Sequence, residues 1–444
     1  VQGATPSAYT IPAREYLFTG TLSGLAEAYQ VLENGMNDAS VTGDKRELIL
    51  LHVVARAGML VFDRENVAVN TSLLEVVEPF GISVTGDDLF SDDPCDPARV
   101  EIHWPIDPND PNCVRFPPDA DVDAAAVAIN TAILPELGSI LSELNQVTNS
   151  PAFVMTLTTA ETGGASAIEV DYGDVLMLKA GLLGAKTLIH SVASPGYNFA
   201  IDLNDPLFAG WQYGDLTSST TIDEVLDAYP NLLEILSGTG AANLAQAKTN
   251  LITTLTAVNA ALNFIEAETD EQENDLLYIE TDEPDYQTIR TELNKFLTSL
   301  QNNAAGTYTV ESRQTYAISQ NGDTFGEMCL ASGFLGTDDS GYLYLADWGA
   351  FWTIGDYEIS GGTIEGDAEN DYYWAWFMGT ISTDRSQIEG LYLQYWNWQS
   401  GGHLSGLSAQ RTANDVSTVQ FNPNPLFAGS VSLRDILPQF DANT

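Results

Sequence analysis

At Gly306 the period of the apolar residues changes. Before it they recur at helical spacing; from "GTYTVESRQTYAIS" to "GGHLSGLSAQRT", residues 306–412, they alternate and are punctuated by Gly and Asp. A period of 3.6 and a period of 2 belong to different elements, so the chain must hold two kinds of structure. Six of the eight Trp and 19 of the 43 aromatics fall in the alternating stretch, as strands would have it. The fragments "TIEG" (363–366), "QIEG" (387–390) and "HLSG" (403–406) repeat a similar ending, which predicts an antiparallel meander, either a sandwich or a small barrel. With 444 residues the chain is also too long for one ordinary core. The expected fold class is therefore multidomain α+β. An N-terminal all-α domain of helical hairpins spans 1–304, an antiparallel β domain 305–413, and a C-terminal docking tail 414–444.

Two helical patterns open the chain, "GTLSGLAEAYQVLENGM" and "DKRELILLHVVARAGMLVF", joined by "NDASVTG". Leu22, Leu25, Ala28, Tyr29 and Leu32 share one face of the first. The Gly-rich start, the Ala–Tyr pair, the short polar link and the second apolar helix resemble a degenerate tetratricopeptide pair over residues 20–62. That resemblance implies an antiparallel helix pair. Further helices are expected over 121–147, where Pro135 should break or kink the run, and over 171–192, 220–237, 242–268 and 285–301.

Between these helices, residues 81–123 are acidic and proline-rich, with little periodicity. Cys95 and Cys113 flank "CDPARVEIHWPIDPNDPNC", and a disulfide between them would staple this loop in an oxidising compartment; a thiol metal site is the other reading. Cys329, far away, reads as a small buried hydrophobe. Calcium is the cofactor the sequence suggests. Asp119, Asp121 and Asp123 repeat the opening of an EF-hand loop, although Ala124 replaces the turn glycine and Asn130 the closing Glu. Asp87, Asp88, Asp92, Asp93, Asp107 and Asp110 could coordinate a hard cation with backbone carbonyls. Helix capping explains Asp119, Asp121 and Asp123 equally well. Asp338 and Asp339 fit a plain turn.

The formal net charge is −46, from 62 acidic and 16 basic residues. Such a field repels nucleic acid and anionic membranes, so neither is an expected partner. The start at "VQGATPSAYTIP" reads as the product of signal-peptide removal, which places the protein outside the cell or on its surface. No uncharged apolar run reaches membrane-spanning length; the closest, "VLMLKAGLLGAKTLIHSVA", carries Lys179, Lys186 and His190 and reads as a buried helix. His52 and His190 lie in apolar helices and read as core histidines; His103 lies in the stapled loop and His403 in a β turn. HExxH, GxSxG, Walker A, CxxCH and a strand-bound GxGxxG are all missing, so no reaction is legible and no haem, nucleotide or flavin is expected.

Two surface features remain. In strand alternation Tyr372, Trp374 and Trp376 share a face, as do Tyr392, Trp396 and Trp398. One aromatic face must then be covered, meet a partner or stack on sugar rings. Glu365 and Glu389, expected on neighbouring strands, are the pair a glycosidase would need. The second feature is a repeat: "PLFAG" follows Asp205 and again Asn424. Pro206, Leu207, Phe208 and Gly210, and likewise Pro425, Leu426, Phe427 and Gly429, read as a turn with two apolar anchors and a glycine exit, a docking element used twice. The function expected is a secreted, non-enzymatic structural or assembly protein. It would self-associate through its ends, as a filament subunit stabilised by calcium. The alternative is a glycan-binding or glycan-degrading protein that uses the aromatic β domain.

Overall fold

The computed structural model describes residues 4–436 apart from 64, 90–97, 108–109, 115, 119, 194–195, 204, 206, 208–221, 269–273, 278, 280–283, 321–322, 333–339, 348–350, 371–372 and 397–400; for a further set, chiefly in barrel strands, it describes the backbone alone. The chain forms two compact units, one of residues 1–279 with 424–444, the other of residues 280–423. The first is helical and the second contains the β domain, as the change of period requires. The borders differ from 304 and 413: the last long helix belongs with the strands, and the residues after 423 return to the helices.

The helical unit contains α1 (Ser7–Leu17), α2 (Leu22–Asn37), α3 (Arg46–Phe62), α4 (Leu73–Val77), α5 (Val122–Ala128), α6 (Leu134–Val147), α7 (Thr159–Thr162), α8 (Tyr172–Leu188), α9 (Ile222–Ala228) and α10 (Gly240–Ala267). Thr21 caps α2 by accepting from the Gly24 N–H, and Leu25, Ala28, Tyr29 and Leu32 are buried on the expected stripe. This stripe meets Leu48, Leu51 and Val53 of α3 and Ile140 and Leu144 of α6 in one core. The unit is not purely helical. Three two-stranded antiparallel ladders interrupt it: β1 (Ser83–Thr85) with β2 (Glu101–His103), β3 (Ile106–Asp107) with β4 (Asp110–Val114), and β5 (Val154–Leu157) with β6 (Ile168–Asp171). The first two organise the acidic loop.

Pro135 does not break its helix. α5 and α6 are joined through a π-helical turn, Ile129–Ile133, in which the Leu134 N–H donates to the Ile129 carbonyl. The wide turn just before Pro135 accommodates a ring that would clash in a regular α-helix. Joined in this way, Val122–Val147 is the one helix among the described residues long and apolar enough to cross a membrane, not the run over 175–193. Here Leu137, Ile140, Leu141, Leu144 and Val147 of that helix are core residues.

In the second unit α11 (Pro284–Asn302) precedes eight strands: β7 (Gly306–Gln320), β8 (Asp323–Ser332), β9 (Ser340–Asp347), β10 (Phe351–Ser360), β11 (Thr363–Asn370), β12 (Tyr373–Ile381), β13 (Gln387–Trp396) and β14 (Gly401–Phe421). Each pairs antiparallel with its sequence neighbour, and β14 pairs with β7, so the meander closes as a barrel. Gly361 and Gly362 both take left-handed φ in the two-residue turn of β10–β11, the conformation whose twist suits a hairpin. Tyr316, Ile318, Met328, Leu330, Ile364, Phe377 and Ile388 fill the interior. The repeated Ile–Glu–Gly follows from this packing. Ile364 and Ile388 point inward, Glu365 and Glu389 outward, and Gly366 makes room, since a Cβ there would lie 2.6 Å from the Phe377 ring. Cys329 is not a buried hydrophobe: it alternates with inward Met328 and Leu330 and is half-buried on the outer side.

Substituting Gly366→Val should cost about 1–3 kcal/mol by overpacking the barrel, and adding Phe377→Leu should recover part of it. Urea unfolding followed by Trp fluorescence reads both; an unchanged midpoint for the single variant would contradict a filled interior.

Candidate functional site

Three places in the structure gather the residues singled out above. The first is the seat of the C-terminal tail on the helical unit. Beyond the barrel the chain makes α12 (Asn424–Phe427) and α13 (Leu433–Ile436). Asn424 is buried; its carbonyl accepts from the Ala428 N–H at 2.9 Å, and Pro425 O accepts from Ser430. Gly429 has φ 67°, the left-handed turn for which glycine was expected, and a Cβ there would sit 3.0 Å from that of Ala241 in α10. The hydroxyl of buried Tyr197 donates to Leu426 O at 3.1 Å. Arg434 donates to the carbonyls of Leu226 and Tyr229, at 3.2 and 3.4 Å, where α9 ends. Leu426 and Phe427 are half-buried rather than sunk in a groove. The hydrogen bonds that hold the tail run from Tyr197 to its Leu426 carbonyl and from its Arg434 guanidinium to two carbonyls, groups that side-chain apolarity does not reveal.

The first copy of the repeat meets the same segment. Leu207 N–H donates to Asp205 Oδ1 at 2.9 Å, and the Tyr229 hydroxyl donates to Asp205 Oδ2 at 2.9 Å and to Asp202 O at 3.2 Å. Burial, with the Asp205 hydrogen bond, raises the Tyr229 phenol above its ordinary value. Pro206, Phe208 and Gly210 lie outside the described residues. Tyr229 thus links the flanks of the two copies: its hydroxyl donates to Asp205, just before the first, and its carbonyl accepts from Arg434, beyond the second.

The second place holds the acidic residues. Asp87 accepts from Ser23 N at 3.0 Å and Ser23 Oγ at 2.9 Å, which places its charge at the N-terminus of α2. Asp88 is tied through its backbone to Ala98 and Val100. Asp121 caps α5 through the Ala124 N–H, and Asp121 and Asp123 line a shallow cleft with Asp202 and Tyr229. Asp107 and Asp110 face each other in the β3–β4 ladder, described by their backbones. Asp92, Asp93, Asp119 and Cys95 lie outside the described residues, as does the side chain of Cys113, so the disulfide pairing does too. Among the described residues no group of three or more His, Cys, Asp or Glu side chains is placed to share a cation.

The third is the outer face of the barrel. Trp376 is half-buried there and its Nε1–H donates to Glu365 at 2.8 Å; Met378 and Leu391 are 43% and 46% exposed and paired in register. Backbone alone is described for Trp374, Tyr392 and Trp396, while Tyr372 and Trp398 lie outside the described residues. Glu365 and Glu389 are not on neighbouring strands. Glu365 lies opposite Met378 and Glu389 opposite Thr380, with β12 between them, and Glu389 accepts from Gln387 and Ser408.

A polar cluster in the helical core escaped the sequence reading. His52 is 2% exposed, stacked on Tyr29 with 5.4 Å between centroids, and its Nδ1 and Nε2 meet Glu143 (2.8 Å) and Glu33 (2.9 Å). Arg56 pairs with Glu136 and Glu143. Burial acts to raise Glu143, but hydrogen bonds and charge from His52 and Arg56 outweigh it and hold the carboxyl below its ordinary value. The signal was present as His52 and Arg56 four residues apart on α3, facing Glu136 and Glu143 seven apart on α6. Both of His52's ring nitrogens are occupied within the fold, so the cluster ties α2, α3 and α6 together and leaves His52 no vacant ligand position.

No protein-family profile matches this sequence, and no curated protein is significantly similar to it.

Because Glu143 is depressed in the folded state, its contribution is complete above pH 4.5 and lost as pH falls through the folded value. Glu143→Gln should therefore lower stability at pH 7 and flatten the acid limb of a Tm-against-pH curve. Arg56→Ala, which removes the cation paired with Glu136 and leaves Glu143 to His52 alone, should cost about 3 kcal/mol in urea unfolding.

Proposed function

We propose that this chain is a non-enzymatic, secreted structural or assembly protein whose copies associate by exchanging their C-terminal tails. The observation that carries the reading is the tail seat. After the whole barrel the chain returns to the helical unit and is held by Tyr197, Ala241 and the carbonyls of Leu226 and Tyr229. A neighbour's tail would make the same contacts, because none depends on which copy supplies it. Exchange of identical elements is a low-cost route to association, and a head-to-tail form of it continues into a ring or filament. The tetratricopeptide-like pair over 20–62 would serve as part of the scaffold. The net charge of −46 opposes any close approach of copies, so a divalent cation such as calcium, by screening that charge, would favour assembly.

Sedimentation and negative-stain imaging, with calcium and with a chelator, should show oligomers or filaments for the full chain. A chain ending at Pro423 should form none, and excess peptide 424–444 should inhibit the full chain. Dispersed monomers in every condition would overturn the proposal.

A second reading rests on Trp376, an aromatic ring on the outer face of the barrel with a carboxylate beside it, as sugar stacking and hydroxyl recognition require. A glycan array should then show binding that Trp376→Ala abolishes.

A further inference from the structure

The outer faces of β10 to β13 carry an unusual arrangement of charge. Asp356 lies directly across from Asp367, and Glu358 directly across from Glu365, all four exposed. Like charges in directly opposed positions destabilise a sheet. The quartet is two residues deep along each strand, about 7 Å, and one strand spacing wide, about 5 Å. On its β12 side the register partners are apolar: Glu365 faces Met378 and Asp367 faces Trp376. Across β12, Met378 is paired with exposed Leu391 and Trp376 with Leu393. An acidic block therefore borders an apolar strip on one continuous sheet face. Between residues 314 and 410 the sequence holds thirteen Asp and Glu against a single Arg, Arg385, which stands in the turn joining β12 to β13.

We infer that this face docks a cationic amphipathic polypeptide, with Lys or Arg side chains over Asp356, Glu358, Glu365 and Asp367 and apolar side chains over Met378, Leu391 and Trp376. Charge complementarity selects this occupant. A second copy of the same face would set quartet against quartet on chains of net charge −46, and nucleic acid or an anionic lipid surface is repelled by the same field. The exposed methionine and leucine supply apolar area, while the carboxylates set orientation and exclude acidic partners. The inference stands apart from tail exchange, since a chain ending at Pro423 keeps the whole face.

The test is titration of the full chain with a synthetic Lys/Leu amphipathic helical peptide at physiological salt, read by fluorescence anisotropy. Two sets of amide substitutions remove the same number of charges. One set is Asp356→Asn, Glu358→Gln, Glu365→Gln and Asp367→Asn. The other is Glu15→Gln, Glu27→Gln, Glu65→Gln and Asp227→Asn, exposed positions on the helical unit. The barrel set should weaken binding roughly tenfold, as loss of a close complementary charge set does, and the helical set less than about twofold, as expected for remote screened charges. Met378→Ser with Leu391→Ser should weaken binding even at high salt. The barrel set should not lower Tm, since it relieves repulsion, so weaker binding cannot be put down to unfolding. Equal loss from both charge sets would reduce the effect to general electrostatics and overturn the inference; so would no binding, or binding that neither set alters.

Discussion

The pairing of β14 with β7 is the contact on which the rest of the chain's layout depends. It closes the barrel, and it sets Phe421 across from Gly306, so the strand that enters the domain and the strand that leaves it are neighbours. A barrel whose ends are adjacent can be inserted in another domain at one point. The chain uses this: the helical unit is interrupted after residue 279 and resumed at 424. The last described residues belong to the helical unit, where Arg434, beyond the second PLFAG, meets the segment that holds Asp205, just before the first. Tyr229 serves both flanks, its hydroxyl donating to Asp205 and its carbonyl accepting from Arg434.

Each unit handles polar groups in its own way. In the helical unit charges are drawn inward and paired: His52 between Glu33 and Glu143, Arg56 between Glu136 and Glu143, Arg14 between Glu47 and Glu161. Paired burial of this kind penalises any packing that separates the partners, so it specifies how α2, α3 and α6 meet. In the barrel the described interior residues are mainly apolar, with buried Gln314 accepting from the Tyr316 hydroxyl, and the described carboxylates stand outside.

Much of the architecture was legible because it rests on period. The stripe Leu25–Ala28–Tyr29–Leu32 becomes core, and the Ile–Glu–Gly repeat becomes inward, outward and small. What periodicity does not show is the local geometry or distant partner that a single residue meets. From the sequence Pro135 is expected to break or kink its run, and a π-helical turn just before it makes room for the ring. Asp87 looks like a ligand, yet it caps a helix more than sixty residues earlier in the sequence. Leu426 and Phe427 look like the anchors of the tail, whereas the hydrogen bonds that hold it run from Tyr197 to a carbonyl and from Arg434 to two others. Backbone carbonyls have no sequence signature.

The sequence by itself determined that there would be two kinds of domain and where the helical and alternating periods meet. It also determined that the barrel surface would be acidic, because composition and periodicity are local properties. Tertiary structure decided which acids cap helices, which pair with Arg56 and His52, and that the tail finds its seat near Tyr229. It also decided that the cross-strand register sets Asp356 against Asp367 and Glu358 against Glu365 beside an apolar strip. These are relations between residues ten to several hundred positions apart, and they are settled by packing and hydrogen-bond geometry that no local window of the chain contains.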